Sequence, residues 1–497
     1  MNNRNQNAKI IFGLKVKQLR MEKQLSFAEL ARASGMSVSY LNEIEKGKKY
    51  PKEGKLAILA DTLGVKVEDL TSMQLPKNLA PIGDLLQSNF LNELPLDMFG
   101  IELVKLVDII ANSPLRVGAF IATLVELARN YALREENFYH GAMRAYQELH
   151  HNYFEEIEEA ALAFAQQHQL DTHQGPIGAE TLRSILENHF GYSIDPEGLL
   201  EFPALRNLRA LYVPNKQQLL LNHQLSDIQK VFQFGKELGF SYLQLADRAN
   251  TSSLLRVQSF DQVLNHFKAS YFATAILLPR EAFIADLREF FAKPRWDGEA
   301  FLGLMQQYNA SPEMLFQRLT NLIPRFFGIQ KLFFNRFVHN PAVGRFVLDK
   351  ELHLEGHHHA RSNGLSEHYC RRWLPLTLLE DLHRMQEEGK YVGTIVGAQR
   401  SHYYGTEDEY LCFTLARPSS PTPDQNVSVT IGLLINDQLR GKLAFLQDPA
   451  IKLREVNLTC ERCQHQDCDE RAVPASYLER REARRRVQEA LKRAMGD

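Results

Sequence analysis

Apolar residues at roughly helical spacing, Ile10, Leu14, Val16 and Leu19, predict a helix over residues 9–22. Ser26 then precedes Phe27-Ala-Glu-Leu-Ala-Arg-Ala with Glu29 three positions on, the spacing of a capping box. Gly35 follows, where a left-handed residue turns the chain. Ser37 caps a second short helix, Val38-Ser-Tyr-Leu-Asn-Glu-Ile-Glu, which Gly47 stops. Leu56, Leu59 and Leu63 predict a further helix over 53–63 that packs the unit. Helix, tight turn, helix is the arrangement that lays its second helix in the DNA major groove.

The run Leu30-Ala-Arg-Ala-Ser-Gly-Met-Ser-Val-Ser-Tyr-Leu-Asn-Glu-Ile-Glu-Lys-Gly-Lys resembles a lambda-repressor-type helix-turn-helix domain. The resemblance implies that Val38, Ser39 and Glu43 face base edges, and that Tyr40, Lys46, Lys48 and Lys49 meet phosphates. Such readers offer methyl contact and single hydrogen bonds instead of a bidentate Arg–guanine pair. Charge agrees with a polyanion partner for this segment: residues 1–66 carry 13 Lys and Arg against 6 Asp and Glu, on a chain whose total is −2. The remainder is therefore acidic, at −9. A small helical bundle used for protein contacts is the alternative.

Residues 85–168 show no strand-like alternation. Leu103, Leu106, Val107 and Ile110 form a stripe at helical period, as do Phe120, Leu124 and Leu127. Tyr146, Tyr153, Phe154 and Phe164 continue helices into the acidic stretch Glu155-Glu-Ile-Glu-Glu. This reads as a helical connector, serving as dimer interface, ligand wall or plain scaffold.

Gly175-Pro176 breaks the helices. Leu182, Ile185 and Leu186 mark a helix, Ala210-Leu-Tyr-Val and Gln218-Leu-Leu-Leu-Asn two short strands, and Phe232-Gln-Phe-Gly-Lys-Glu-Leu-Gly-Phe a further helix. That order resembles the IrrE-like zinc peptidase fold, whose active form puts two histidines on one helix face as His-Glu-x-x-His. Here the two histidine positions hold Lys236 and Phe240, and only Glu237 is kept. Downstream, Ala269-Ser-Tyr-Phe-Ala-Thr-Ala-Ile-Leu-Leu-Pro matches the next helix, with Lys268 where an acidic ligand would stand. An ammonium has no lone pair for a metal and a phenyl ring has no donor atom, so hydrolytic zinc chemistry is not expected and the chain is not read as an enzyme.

Cys460-Glu-Arg-Cys-Gln-His-Gln-Asp-Cys spaces three thiols as C-x2-C-x4-C, and no Cys or His follows Cys468. A self-contained zinc ribbon is excluded, so a fourth ligand must come from elsewhere. Cys370, in the polar setting His368-Tyr-Cys-Arg-Arg-Trp, is the choice; Cys412, inside Tyr-Leu-Cys-Phe-Thr-Leu, reads as core. Cysteine-only ligation suits an iron–sulfur cluster, with structural zinc and free thiols as alternatives. His357-His-His, with His353 before it, reads as a polar loop.

Phe272-Ala to Leu278-Pro, Phe283, the stretch Ser311-Pro-Glu-Met-Leu-Phe-Gln-Arg-Leu-Thr-Asn-Leu and the cysteine block together resemble the short-chain fatty-acyl transcriptional regulators, similar to propionate-catabolism activators. The match runs from the helix-turn-helix to about Pro474 and is loose between 80 and 200. It implies a regulator whose degenerate peptidase-like domain binds an acyl-CoA effector. It also implies a [4Fe–4S] cluster on Cys460, Cys463 and Cys468, with Cys370 the added choice. Arg318, Arg325 and Lys331 are candidate CoA phosphate contacts, or simply a solvated basic face.

Length, at 497 residues, predicts two to four domains, and 44% apolar residues supply their cores. The expected fold class is multidomain, mainly α with α+β parts. We divide it as 1–75 helix-turn-helix, 76–172 connector or dimerisation region, 173–300 degenerate IrrE-like domain, 301–476 C-terminal α+β domain with the cysteines, and 477–497 terminal helix. That last helix carries seven basic and four acidic residues and reads as solvated. No run is long and apolar enough for a membrane span, the start is polar, and five cysteines make no disulfide framework. A cytoplasmic homodimer on double-stranded DNA is the expectation. Two other classes stay open: a protein-interaction body on structural zinc, and a repressor-cleaving peptidase.

Overall fold

The computed structural model describes residues 2–73, 135–170, 175–252, 257, 259–354, 367–390, 393–422, 424–465 and 467–495. Two compact units divide the chain, Met1–Ala142 and Met143–Asp497. It is a multidomain protein, mainly helical, with an α+β body. The apolar stripes at 103–110 and 120–127 and the histidines at 357–359 lie outside the described residues.

In the first unit, α1 (Asn2–Glu22), α2 (Phe27–Ser34), α3 (Val38–Glu45), α4 (Glu53–Leu63) and α5 (Val67–Thr71) enclose one core. Phe12, Val16, Leu30, Leu41, Ile44, Leu59 and Leu63 meet there. The capping box is present as predicted: Ser26 accepts from the Glu29 amide and the Glu29 carboxylate accepts from the Ser26 amide. Gly35 closes α2 at φ 66°, a left-handed angle that a side chain disfavours. Arg20 reaches from α1 to the Glu45 carboxylate on α3, 2.6 Å away, and to the Leu25 carbonyl. This nearly buried pair fixes the angle of α3.

The boundary between the units falls within α6 (Glu135–Leu149), at Ala142, and the second unit begins with helices. In α6 and α7 (Glu155–Gln167) the predicted helical pattern holds, but Tyr153 and Phe154 lie in the turn between them. Asn152, at φ 53°, makes that turn. Next come α8 (Ala179–Phe190) and a small three-stranded sheet of β1 (Ser193–Asp195), β2 (Ala210–Val213) and β3 (Gln218–Leu221). Strand order is β1-β3-β2, with β3 parallel to β1 and antiparallel to β2. Against it stand α9 (Asp227–Tyr242) and α10 (Phe260–Leu277). These two helices cross closely because Gly239 faces α10: a Cβ there would sit 2.9 Å from the Ala269 carbonyl oxygen.

Three more helices, α11 (Arg280–Phe291), α12 (Gly298–Gln307) and α13 (Pro312–Leu322), lead into the larger sheet. That sheet comprises β4 (Leu332–Asn340), β5 (Arg345–Leu354), β6 (Ile395–Tyr403), β7 (Glu409–Pro418), β8 (Asn426–Leu434) and β9 (Lys452–Val456), in the order β5-β4-β8-β7-β6-β9. All neighbours are antiparallel except β6 and β9. One face is covered by α14 (Leu374–Glu387), whose Leu376, Leu379 and Leu382 pack on Phe337, Tyr410 and Cys412. The short α15 (Asp437–Arg440) precedes β9, and α16 (Ser476–Met495) ends the described chain with no buried residue.

Candidate functional site

In the first unit the predicted readers stand at the start of α3. Val38 and Ser39 are exposed, and Tyr40 and Glu43 half-exposed, on the face opposite Leu41 and Ile44. Ser37 caps the helix by accepting from the Tyr40 amide. An exposed valine at the tip of a capped helix is an apolar contact that intramolecular packing does not use. Lys48 and Lys49 are exposed and Lys46 is half-exposed. Lys55, not among the predicted contacts, lies 4.3 Å from the Tyr40 ring centroid and brings a further cation to this face. Glu43 pairs with Lys49 at 2.6 Å, and that pairing holds the ammonium above its ordinary range. On DNA the two must share or part.

In the second unit, the helix that would carry His-Glu-x-x-His is α9, and its glutamate is occupied. Arg248 grips Glu237 through two bonds, Nη1 to Oε2 at 2.7 Å and Nη2 to Oε1 at 2.8 Å. The Arg248 guanidinium also lies 3.8 Å from the Phe240 ring centroid and 4.3 Å from that of Tyr212. Cation–π contact and the bidentate pair thus put a fixed positive group against the one kept acid. Tyr192 donates to Glu237 from the other side, at 3.3 Å. Lys236, in the first histidine position, is buried and donates to the Ser252 carbonyl at 3.1 Å. Burial, opposed by Glu237 and aided by Arg248, brings its ammonium down to about 7.

The cysteine segments are brought together by the backbone. Tyr369 and Thr459 form a β-bridge, the Cys370 amide donates to Leu458, and the Cys460 amide donates to His368. Arg471 gathers the turn by donating to the carbonyls of Cys460, Cys463 and His465. The Ala472 amide points at Cys460 Sγ from 3.4 Å. Glu367 binds Arg462 and Thr459 across the same junction.

Cys370 departs from the polar setting expected of it. Its side chain lies 6% exposed among Tyr369, Trp373 and Phe337, because the polar neighbours flank an inward-facing position. Burial, with Cys460 and Cys463 nearby, pushes its thiol up to about 11. Cys412 is core, as read from its strand, and burial pushes it up to about 12. Cys463 and Cys468 are partly exposed. In donor type and neighbourhood these residues fit a thiolate-bound metal group. Among the described residues, however, no three His, Cys, Asp or Glu side chains are gathered to hold an ion, so metal binding would have to draw the thiols inward.

The three predicted CoA contacts do not form one face. Arg318 is fully buried, donating to both oxygens of Glu158 and to the Leu278 carbonyl, while Tyr271 donates to the same carboxylate. The solvated reading of Arg318 fails because residue 318 lies on the inward side of α13. Glu158 likewise leaves the acidic stretch for the interior. Arg325 and Lys331 are exposed. Arg325 lies 5.9 Å from the Tyr153 ring, beside which Arg280 binds both the Tyr153 hydroxyl and Glu155.

Residues 11–73 match the model of a helix-turn-helix domain, which spans the exposed face of α3. The N-terminal unit carries a helix-turn-helix domain. Residues 201–320 match the IrrE N-terminal-like domain, the region holding Glu237 and Arg248. Over 94% of this chain and 95% of its own length, the HTH-type transcriptional regulator RamB of Mycobacterium tuberculosis is 24% identical. The HTH-type transcriptional regulator DdrOP3 of Deinococcus deserti is 33% identical over 78 residues, 14% of this chain and 60% of that one. A solved Mycobacterium tuberculosis transcriptional regulator covers 67% of this chain and 92% of its own, at 19% identity and a TM-score of 0.45. Together the domain and the end-to-end relative support a DNA-binding transcriptional regulator with an IrrE-related body. No described helix is long and apolar enough to cross a membrane.

Proposed function

We propose that this protein is a sequence-specific transcriptional regulator that binds DNA as a cytoplasmic homodimer and answers to a short-chain acyl-CoA. The observation that carries the DNA reading is the capped α3, which presents Val38 and Ser39 outward and is followed by the lysines at 46, 48 and 49. One such helix reads few base pairs, and two-fold pairing doubles the site. The effector reading rests on the resemblance of the chain to acyl-responsive regulators and on a peptidase-like fold kept without its metal ligands. With Arg248 seated on Glu237, no water can be activated there by zinc, so the fold serves binding and not hydrolysis. An operator-binding assay across an acyl-CoA series tests this; affinity for DNA that is indifferent to every acyl-CoA refutes it.

We further propose that Cys460, Cys463 and Cys468 hold a [4Fe–4S] cluster, with Cys370 as the distant ligand. The support is their donor chemistry and the bridge from Tyr369 to Thr459, which sets the two segments side by side. A bound cluster would clamp these segments and add a redox-sensitive crosslink. Iron and acid-labile sulfide after anaerobic purification, lost in Cys460→Ser, are the expected result. Stoichiometric zinc without iron would replace the cluster by structural zinc.

A further inference from the structure

Within the second unit, a cavity of about 50 Å³ is walled by residues from α9, from the start of α13, from the six-stranded sheet and from the segment that leads into β2. Arg209 enters just ahead of β2, Gln229 from α9, Ser311 and Glu313 from the start of α13, Lys350 from β5 and Arg417 from β7. Glu313 is the only carboxylate on this wall, and it is already engaged. It accepts from Arg336 Nε at 3.0 Å and from Arg417 Nη2 at 3.4 Å. Although burial pushes its carboxyl up, Arg336, Arg417 and Arg209 together hold it well below the usual range. Asp349, the next nearest acid, is taken by Arg336.

Two cationic side chains on this wall remain without an acceptor, and a third keeps one buried N–H unpaired. The side chains of Arg209 and Lys350 make no hydrogen bond or ion pair among the described residues. Arg417 Nε is a buried N–H with no partner there. Arg209, Arg336, Lys350 and Arg417 thus face two carboxylates, an excess of two positive charges around a space of oxoanion size. Like charges gathered in a partly dehydrated cavity repel strongly unless an anion sits among them. Ser311 accepts from the Met314 amide, which leaves its hydroxyl hydrogen free to donate, and α13 begins at the same wall.

We propose that this cavity is a binding site for a phosphate group. A phosphate near neutral pH carries about −1.5 to −2, which matches the excess, and it takes forked bonds from guanidinium groups. The group is either free orthophosphate or the monoester of a larger ligand whose remainder lies outside the cavity. Its contacts come from Arg209 ahead of β2, from α13 and from the six-stranded sheet, so occupancy fastens the IrrE-like part to that sheet. The site stands on this geometry alone and holds whether or not an acyl-CoA is the effector.

The test is isothermal titration of the full chain with orthophosphate and, separately, with glycerol phosphate, at constant ionic strength against chloride. A saturable single site is expected with at least one of the two. Arg209→Gln and Lys350→Gln should each weaken it roughly tenfold or more, the scale of one charge-assisted bond. Arg183→Gln, which removes an arginine paired to Glu187 on α8, should leave it unchanged. Lys350 lies at the cavity's rim on the edge strand β5, so its replacement tests the site even if Arg209→Gln folds poorly; melting curves without ligand identify that case. Binding of glycerol phosphate alone assigns the site to a larger ligand. No saturable heat with either compound overturns the proposal, as does equal binding of acetate or undiminished binding by Lys350→Gln.

Discussion

The two units of this chain put their cations to opposite uses. In the helix-turn-helix domain Lys48 and Lys49 stand in solvent just after α3, with little to hold them but water and one surface carboxylate. In the body the strongest cations are inside. Arg318 is fully buried on Glu158, Arg248 is locked on Glu237, and Arg336 is nearly buried on Glu313. An exposed lysine is available to a partner at almost no cost in stability. A buried arginine has given up its hydration for one fixed acceptor, and removing that acceptor leaves an uncompensated charge. The first arrangement suits recognition, and the second holds the body together.

The sharpest way to break the contrast is to delete a buried acceptor. Glu158→Ala strands Arg318 and deprives the Tyr271 hydroxyl of its acceptor, so chemical denaturation should show a loss of about 3–5 kcal/mol. Glu158→Met combined with Arg318→Met should recover most of it. If the single change costs no more than a surface substitution, the pair is not a support of the fold.

Lys236 gives a pH signature of the same interior. Its folded value of about 7 lies below the ordinary 10.5, so the native state binds fewer protons than the unfolded state between those limits. Stability therefore carries a full penalty below about 7, and that penalty is relieved as pH rises toward 10.5. Lys236→Met should remove this rise, which amounts to at most on the order of 5 kcal/mol. Parallel pH–stability curves for the two proteins would contradict the buried, partly neutral lysine.

Exposure also sorts the cysteines. In metal-free native protein Cys463 and Cys468 should alkylate readily, whereas Cys370 and Cys412, both buried, should react only on unfolding. Anaerobic reconstitution with iron and sulfide should then protect Cys463 and Cys468; unchanged labelling would count against a cluster.

The smallest effects belong to the surface. Lys48→Ala should weaken DNA binding evenly across sequences and reduce the slope of log K against log salt by about 1. Glu43→Ala should relax base preference while leaving stability nearly unchanged, because Glu43 is half-exposed and pairs only with Lys49 among the described residues.

What could be read from the sequence followed the range of the forces involved. Ser26, Glu29, Gly35 and Ser37 act within a turn of their own helices, so the caps and the limits of α2 and α3 were visible in spacing. Lys236 and Phe240 were recognisable as non-ligands from their chemistry alone. The partner of Glu237 was not, because Arg248 stands 11 residues downstream in an irregular segment with no periodicity to mark its direction. The Glu158–Arg318 pair joins positions 160 apart, and only the packing of α7 against α10 and α13 reveals that an apparently acidic face turns one carboxylate inward. Polar neighbours misled the reading of Cys370: His368, Arg371 and Arg372 are hydrophilic, but the thiol between them faces Trp373 and Tyr369. The three-residue β1 was missed because so short a run carries no alternation.

The central claim is that the exposed face of α3 reads DNA sequence. Selection of bound duplexes from a random pool by the full chain, followed by sequencing, tests it most directly. The account predicts an enriched inverted repeat whose half-sites lose definition when Val38, Ser39 and Glu43 are all replaced by alanine. A pool with no enriched sequence, or the same motif recovered by the triple variant, would contradict it.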